Sequence, residues 1–114
     1  MAADASVVVH FKDLTVDEEV REHVRARCTR LAEEFPEATH FELTLEAEAT
    51  AVACHARVNG KQTRIAAHAG GAPGPRQAGD SALDKIEREL RKDHDKRIFA
   101  QRRKAQRSRG KRVG

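Results

Sequence analysis

Apolar and polar residues alternate from Ser6 to Phe11, with Val7, Val9 and Phe11 on one side and Val8 and His10 on the other. A period of two predicts a short strand. Asp13 and Leu14 turn the chain. Thr15-Val16-Asp17-Glu18 matches the S/T-x-x-E capping box, so Thr15 and Glu18 are expected to start a helix. Val16, Val20, Val24, Cys28, Leu31 and Phe35 then recur at steps of four and three. That spacing predicts an amphipathic helix of about five turns, which Pro36 stops. One flank of it carries His23, Arg27 and Arg30, with Arg21 and Arg25 further round.

The period returns to two at Phe41, Leu43, Leu45 and Ala47, alternating with Glu42, Thr44, Glu46 and Glu48. After a turn near Ala49-Thr50, Val52, Cys54, Ala56 and Val58 alternate with Ala53, His55 and Arg57. Asn59-Gly60 reads as a type I′ hairpin turn. A return strand follows from about Lys61 to Ala69 around Ile65 and Ala67. Gly70 to Gly79, GGAPGPRQAG, reads as a loop because Gly and Pro dominate it. Asp80 or Ser81 can cap a second helix, in which Leu83, Ile86 and Leu90 form one apolar stripe. That helix is expected to end near Phe99. The order β-α-β-β-β-α, with one apolar face on the sheet, predicts a two-layer α+β domain. Both helices would pack on the same face of a four-stranded sheet.

Charge adds the first hint of function. Residues 1–80 carry 9 Lys/Arg against 13 Asp/Glu, and residues 81–114 carry 13 against 5. Such asymmetry points to a polyanion partner. The excess is concentrated in two places. Within the second helix Lys85, Arg88, Lys92 and Lys96 form a stripe beside the apolar one, with Arg91 next to it. Beyond it, QRRKAQRSRGKRVG (101–114) has too little apolar surface to fold alone and reads as a basic, disordered tail. We therefore expect one domain over 1–100 and a tail over 101–114. No apolar run approaches the length of a membrane helix, and the N-terminus lacks the pattern of a secretory leader. The two cysteines make no disulfide framework. A soluble cytoplasmic protein is expected, with no membrane partner.

The chemistry of that composition favours binding over catalysis. Fixed Lys and Arg neutralise phosphates and release counterions. The chain has four Phe, no Tyr and no Trp, so it lacks the stacking platforms used on single strands. Shape and backbone contacts to folded RNA are the expected mode. Gly74-Pro75-Arg76-Gln77-Ala78-Gly79 has the G-x-x-x-x-G spacing of a P-loop. Asp80-Ser81 follows, however, where a phosphate-binding Lys is needed. Cys28 and Cys54 fall on apolar stripes, as buried thiols do. With His10, His55 and His68 they show no zinc-ligand spacing. No pair of residues has the spacing of a nuclease centre. We expect no catalytic residues, no metal, no cofactor and no small-molecule substrate.

Leu14-Thr15, then Val20-Arg21-Glu22-His23-Val24, Arg27, Arg30 and Leu31, the Val58-Asn59-Gly60 stretch, and above all Asp84-Lys85-Ile86-Glu87-Arg88-Glu89-Leu90-Arg91-Lys92 carry a resemblance. Over roughly residues 6–97 the chain resembles the ribosome hibernation-promoting factor family, also called ribosome-associated inhibitor A (S30EA). The last segment is similar to the family's D-K-L-E-R-Q-L-x-K. The resemblance implies a β-α-β-β-β-α fold related to double-stranded RNA-binding domains. It also implies a translation inhibitor that binds 16S rRNA of the small ribosomal subunit and occupies the path of mRNA and tRNA. Arg27, Arg30, Lys85, Arg88 and Lys92 match the family's basic positions; Lys96 continues the stripe of the second helix and Arg91 lies beside it. One departure stands out. Where the family enters its second helix through an acidic-aromatic E-D-M-Y stretch, this chain has GGAPGPRQAGDS. It is expected to lack the extra C-terminal domain by which long members pair two ribosomes and so not to pair ribosomes by itself; a monomer is expected. The changed stretch motivates an alternative, a general RNA-binding or RNA-chaperone protein of the same fold.

Overall fold

The chain runs β1 (Ser6–Lys12), α1 (Glu18–Glu34), β2 (Ala38–Glu48), β3 (Ala51–Gly60), β4 (Thr63–Ala72) and α2 (Pro75–Val113). This is a computed structural model; it describes residues 5–113, with side chains through residue 96 and at Ile98. The strands form one sheet in the order β1-β2-β3-β4. β1 lies parallel to β2, and β2, β3 and β4 meander antiparallel. β1 and β4 are therefore the two edges.

One face of the sheet is covered by both helices. Phe41, Leu43 and Leu45 of β2 and Cys54 and Val58 of β3 are fully buried there. Val20, Val24, Cys28 and Leu31 of α1 meet them, as do Ala82, Leu83, Ile86 and Leu90 of α2. These are the period-two and period-3.6 stripes of the sequence, closed on each other because each alone would leave apolar surface in water. The two-layer α+β architecture is as expected.

Four local expectations need correction. The cap of α1 is Asp17, not Thr15: the Asp17 Oδ1 accepts from the backbone N–H of Glu19 at 3.0 Å and of Val20 at 3.2 Å. A carboxylate also suits the positive end of the helix dipole. Val16 consequently falls before the helix and is 51% exposed, off the core stripe. The β3–β4 turn is Lys61-Gln62, with Gln62 at φ 56°, rather than Asn59-Gly60. Gly60 pairs with Thr63 inside the ladder, and a Cβ on it would lie 1.7 Å from the Glu37 carbonyl oxygen. This glycine serves a close crossing of two backbones, not a turn.

The Gly/Pro stretch 70–79 is not one loop. β4 persists through Ala72 and α2 starts at Pro75, leaving Pro73-Gly74 as the connection. Proline is suited to the first turn of a helix, where its missing N–H has no partner to lose. Gly79 is buried within α2, and a Cβ there would lie 3.0 Å from Val24 Cγ2 of α1. Neither Asp80 nor Ser81 caps the helix. Finally, α2 does not end near Phe99 but runs on to Val113. Ala, Gln, Arg and Lys dominate 100–109 and favour helix. The side chains of 99–113 lie outside those described.

Candidate nucleic-acid interface

The apolar stripe Ala82, Leu83, Ile86 and Leu90 fixes the rotation of α2 on the sheet. The rest of the helix is thereby divided into two flanks of different chemistry. The flank toward α1 is occupied by ion pairs. Arg27 Nη1 lies 3.2 Å from Asp80 Oδ1, and its Nη2 lies 3.0 Å from Asp84 Oδ1 and 3.5 Å from Glu87 Oε1. Arg27 Nη1 also donates to the Asp80 backbone oxygen at 3.2 Å. The side chain is only 20% exposed. Burial works against its charge, but hydrogen bonds with Asp80 and Asp84 outweigh that and raise its pKa. His23 Nε2 completes the cluster, 2.7 Å from Asp80 Oδ1.

Arg91 is likewise engaged. Its Nη2 lies 3.0 Å from Glu87 and 3.2 Å from Glu34, and its guanidinium stands 5.6 Å from the Phe35 ring centroid. The hydrogen bond with Glu87 leads the causes that raise its pKa. Arg27 and Arg91 thus act as struts between α1 and α2, each with its charge countered nearby.

The other flank, toward β4, is open. Lys85, Arg88, Lys92 and Lys96 follow one another along it, all exposed. Lys85 Nζ donates to the backbone oxygen of His68 at 2.7 Å, using a carbonyl on the β4 edge. Arg88, Lys92 and Lys96 have no carboxylate partner among the described residues, and neither has Arg30 of α1. Between this flank and β4 runs a shallow groove. Arg64 lines it together with Lys85 and Arg88 at one end and with Lys92 and Lys96 at the other; Glu89 and Asp93 line it too. Five cations against two carboxylates leave it positive.

A match to known sequence families decides what kind of chain carries this groove. The family described as Sigma 54 modulation protein / S30EA ribosomal protein matches residues 7–98. The chain belongs to this family. The S30EA fold is also found by structural comparison. A crystal structure of the Thermus thermophilus Protein Y N-terminal domain superposes with TM-score 0.65 at 16% identity, covering 78% of this chain and 97% of that one. A ribosomal subunit interface protein from Coxiella burnetii superposes with TM-score 0.67 at 16% identity, covering 77% and 98%. No curated protein sequence matches. At such identity the two structures speak for the fold.

Within this S30EA chain, four of the seven residues singled out from sequence, Lys85, Arg88, Lys92 and Lys96, come together on one open flank. Arg30 is exposed on α1, and Arg27 and Arg91 are spent on carboxylates. Arg64 was missed. Its outward position in β4 follows from alternation, but its place beside Lys92 depends on β4 being the edge strand nearest α2, which no local pattern encodes.

Proposed function

We propose that this chain is a ribosome-binding hibernation factor acting on the small subunit. The open flank of α2, with Arg88, Lys92 and Lys96 at its centre and Lys85 and Arg64 beside them, contacts 16S rRNA. Occupying the mRNA and tRNA path, it inhibits translation by steric exclusion, in the cytoplasm, as a monomer and without catalysis. Three adjacent cations without carboxylate partners among the described residues, held at helical spacing on a rigid S30EA scaffold, carry this reading. The helix fixes the spacing at which the cations are anchored, and each neutralised phosphate releases counterions.

Sedimentation with ribosomes through sucrose at physiological salt tests it, using wild type and a Lys85→Glu/Arg88→Glu/Lys92→Glu variant. Stoichiometric co-migration of wild type with small subunits, lost in the variant and opposed by tRNA, is the expected result. Wild type left at the top of the gradient while still binding free RNA would overturn the ribosomal target. It would favour the second reading, a general RNA-binding protein. That reading is motivated by the Pro73-Gly74-Pro75 entry to α2, where the resembled family carries an acidic-aromatic stretch.

A further inference from the structure

Four of the six histidines, His10, His40, His55 and His68, stand on the outer face of the sheet, away from both helices. The fixed charges on that face are Lys12, Arg57 and Arg64 against Glu42, Glu46 and Glu48, three of each sign. Its net charge is therefore set by the imidazoles. Histidine as a class changes charge between about pH 5 and 8.

The imidazoles are not scattered. His55 and His68 face each other across β3 and β4, with ring centroids 4.5 Å apart and both side chains exposed. Glu42, Thr44, Arg57 and Ala66 border the shallow concavity around them. From β2, Glu46 Oε1 lies 3.8 Å from His55 Nε2, but its Oε2 lies 3.1 Å from Lys12 Nζ of β1. Glu42 is engaged by His10, 3.3 Å away. Two imidazolium rings at this spacing repel each other; of the three carboxylates that border them, Glu46 is shared with Lys12 and Glu42 with His10, and Glu48 stands at the Gly70 end beside His68. A phosphate lying at the edges of the two rings offsets the repulsion and can accept a charged N–H from each. The patch also joins the α2 groove around the β4 edge. Lys85 bonds the His68 carbonyl there, and Arg64 of the same strand lines the groove.

We propose that the outer sheet face around His55 and His68 is a second contact for the RNA phosphate backbone, engaged when these imidazoles are protonated. Without that protonation the α2 flank holds RNA alone. On acidification the strand is also gripped where it passes over the β4 edge. Binding takes up protons, so affinity rises as pH falls. The proposal rests on the RNA-binding reading of the α2 flank.

The test measures affinity of the full chain for a fluorescent RNA duplex at about pH 8 and about pH 5.5, across a salt series. Two further phosphate contacts predict roughly tenfold tighter binding at acid pH near 0.1 M salt, with a log–log salt slope steeper by about two. The His55→Gln/His68→Gln variant is expected to match wild type at the higher pH and to lose most of the acid gain. A His10→Gln/His40→Gln control is expected to keep most of it. The proposal is overturned if wild type shows no gain, if His55→Gln/His68→Gln retains it, or if the control alone removes it. Arg88→Glu/Lys92→Glu separates the two readings. Unweakened binding of that variant at the higher pH sinks the α2 reading, whereas the acid gain is judged on the histidine variants alone.

Discussion

Arg27 Nη1 meets the Asp80 carboxylate at 3.2 Å across 53 residues of sequence, tying the middle of α1 to the early turns of α2. The same guanidinium spans Asp84 one turn further on. Because the sheet lies beneath both helices, this strut helps set the angle at which α2 presents its opposite flank.

Arg27→Ala should therefore destabilise the fold. It would leave Asp80, Asp84 and Glu87 clustered without their shared cation, at a cost of about 1–3 kcal/mol. Arg27→Lys should recover only part, since an ammonium cannot fork between two carboxylates. Urea unfolding measures both. A loss within about 0.5 kcal/mol for Arg27→Ala, the range of an ordinary surface change, would show the strut to be idle.

The pH dependence of stability should carry the mark of Asp80. Burial alone would raise its carboxyl, but hydrogen bonds from His23 and Arg27 outweigh that and hold it below its ordinary value. A carboxylate held low stabilises the fold fully where the unfolded chain is ionised too, and loses that stabilisation where only the unfolded chain binds a proton. Its contribution is full above about pH 4 and disappears as pH falls through the folded value. Urea midpoints taken downward from neutral pH should drop in that acid window. Asp80→Asn should start lower and drop less; an unchanged acid slope would place the dependence elsewhere.

Two glycines should respond to alanine to different degrees. At Gly60 the new methyl would meet the Glu37 backbone, with no flexible side chain to move aside. Gly60→Ala should cost at least about 2–4 kcal/mol, as clashes with fixed backbone do. At Gly71, φ is +71° but nothing lies within 4 Å of the built Cβ. Gly71→Ala should cost only the left-handed penalty of about 1–2 kcal/mol. Comparable thermal shifts for the two would contradict the crossing at Gly60.

The two flanks of the α2 stripe should separate stability from binding. Leu90→Ala, at a fully buried position, should cost about 2–5 kcal/mol. Lys92→Ala should stay within about 0.5 kcal/mol in stability yet lower the salt slope of RNA binding by about one. An unchanged slope would remove Lys92 from the interface.

Both thiols should be inert in the folded protein. Burial pushes Cys28 and Cys54 up to about 12, so almost no thiolate exists at neutral pH. Alkylation should be slow until denaturant opens the core, then proceed at both cysteines together. Rapid labelling of native protein would mean that α1 lifts from the sheet.

The strands and helices of this protein are largely determined by its sequence, because burial on one face writes a period of two or 3.6 into the chain. Phe41-Leu43-Leu45 and Leu83-Ile86-Leu90 are legible for that reason. Family membership was legible too, through Asp84–Lys92. Where α1 is capped depended on which of two neighbouring polar side chains reached the free N–H groups, and Asp17 did. Gly60 and Gly79 looked like turn and loop residues, yet both mark close approaches to distant chain, to Glu37 and Val24. The division of the arginines was decided only by tertiary structure. Arg27 falls on a basic helix flank as Arg88 does, but packing α2 against α1 brings Asp80 to Arg27 and Glu34 to Arg91, whose pair with Glu87 is set by spacing within α2 itself. Helical spacing puts a cation on a flank; only the neighbouring element decides whether a carboxylate waits there or open solvent does.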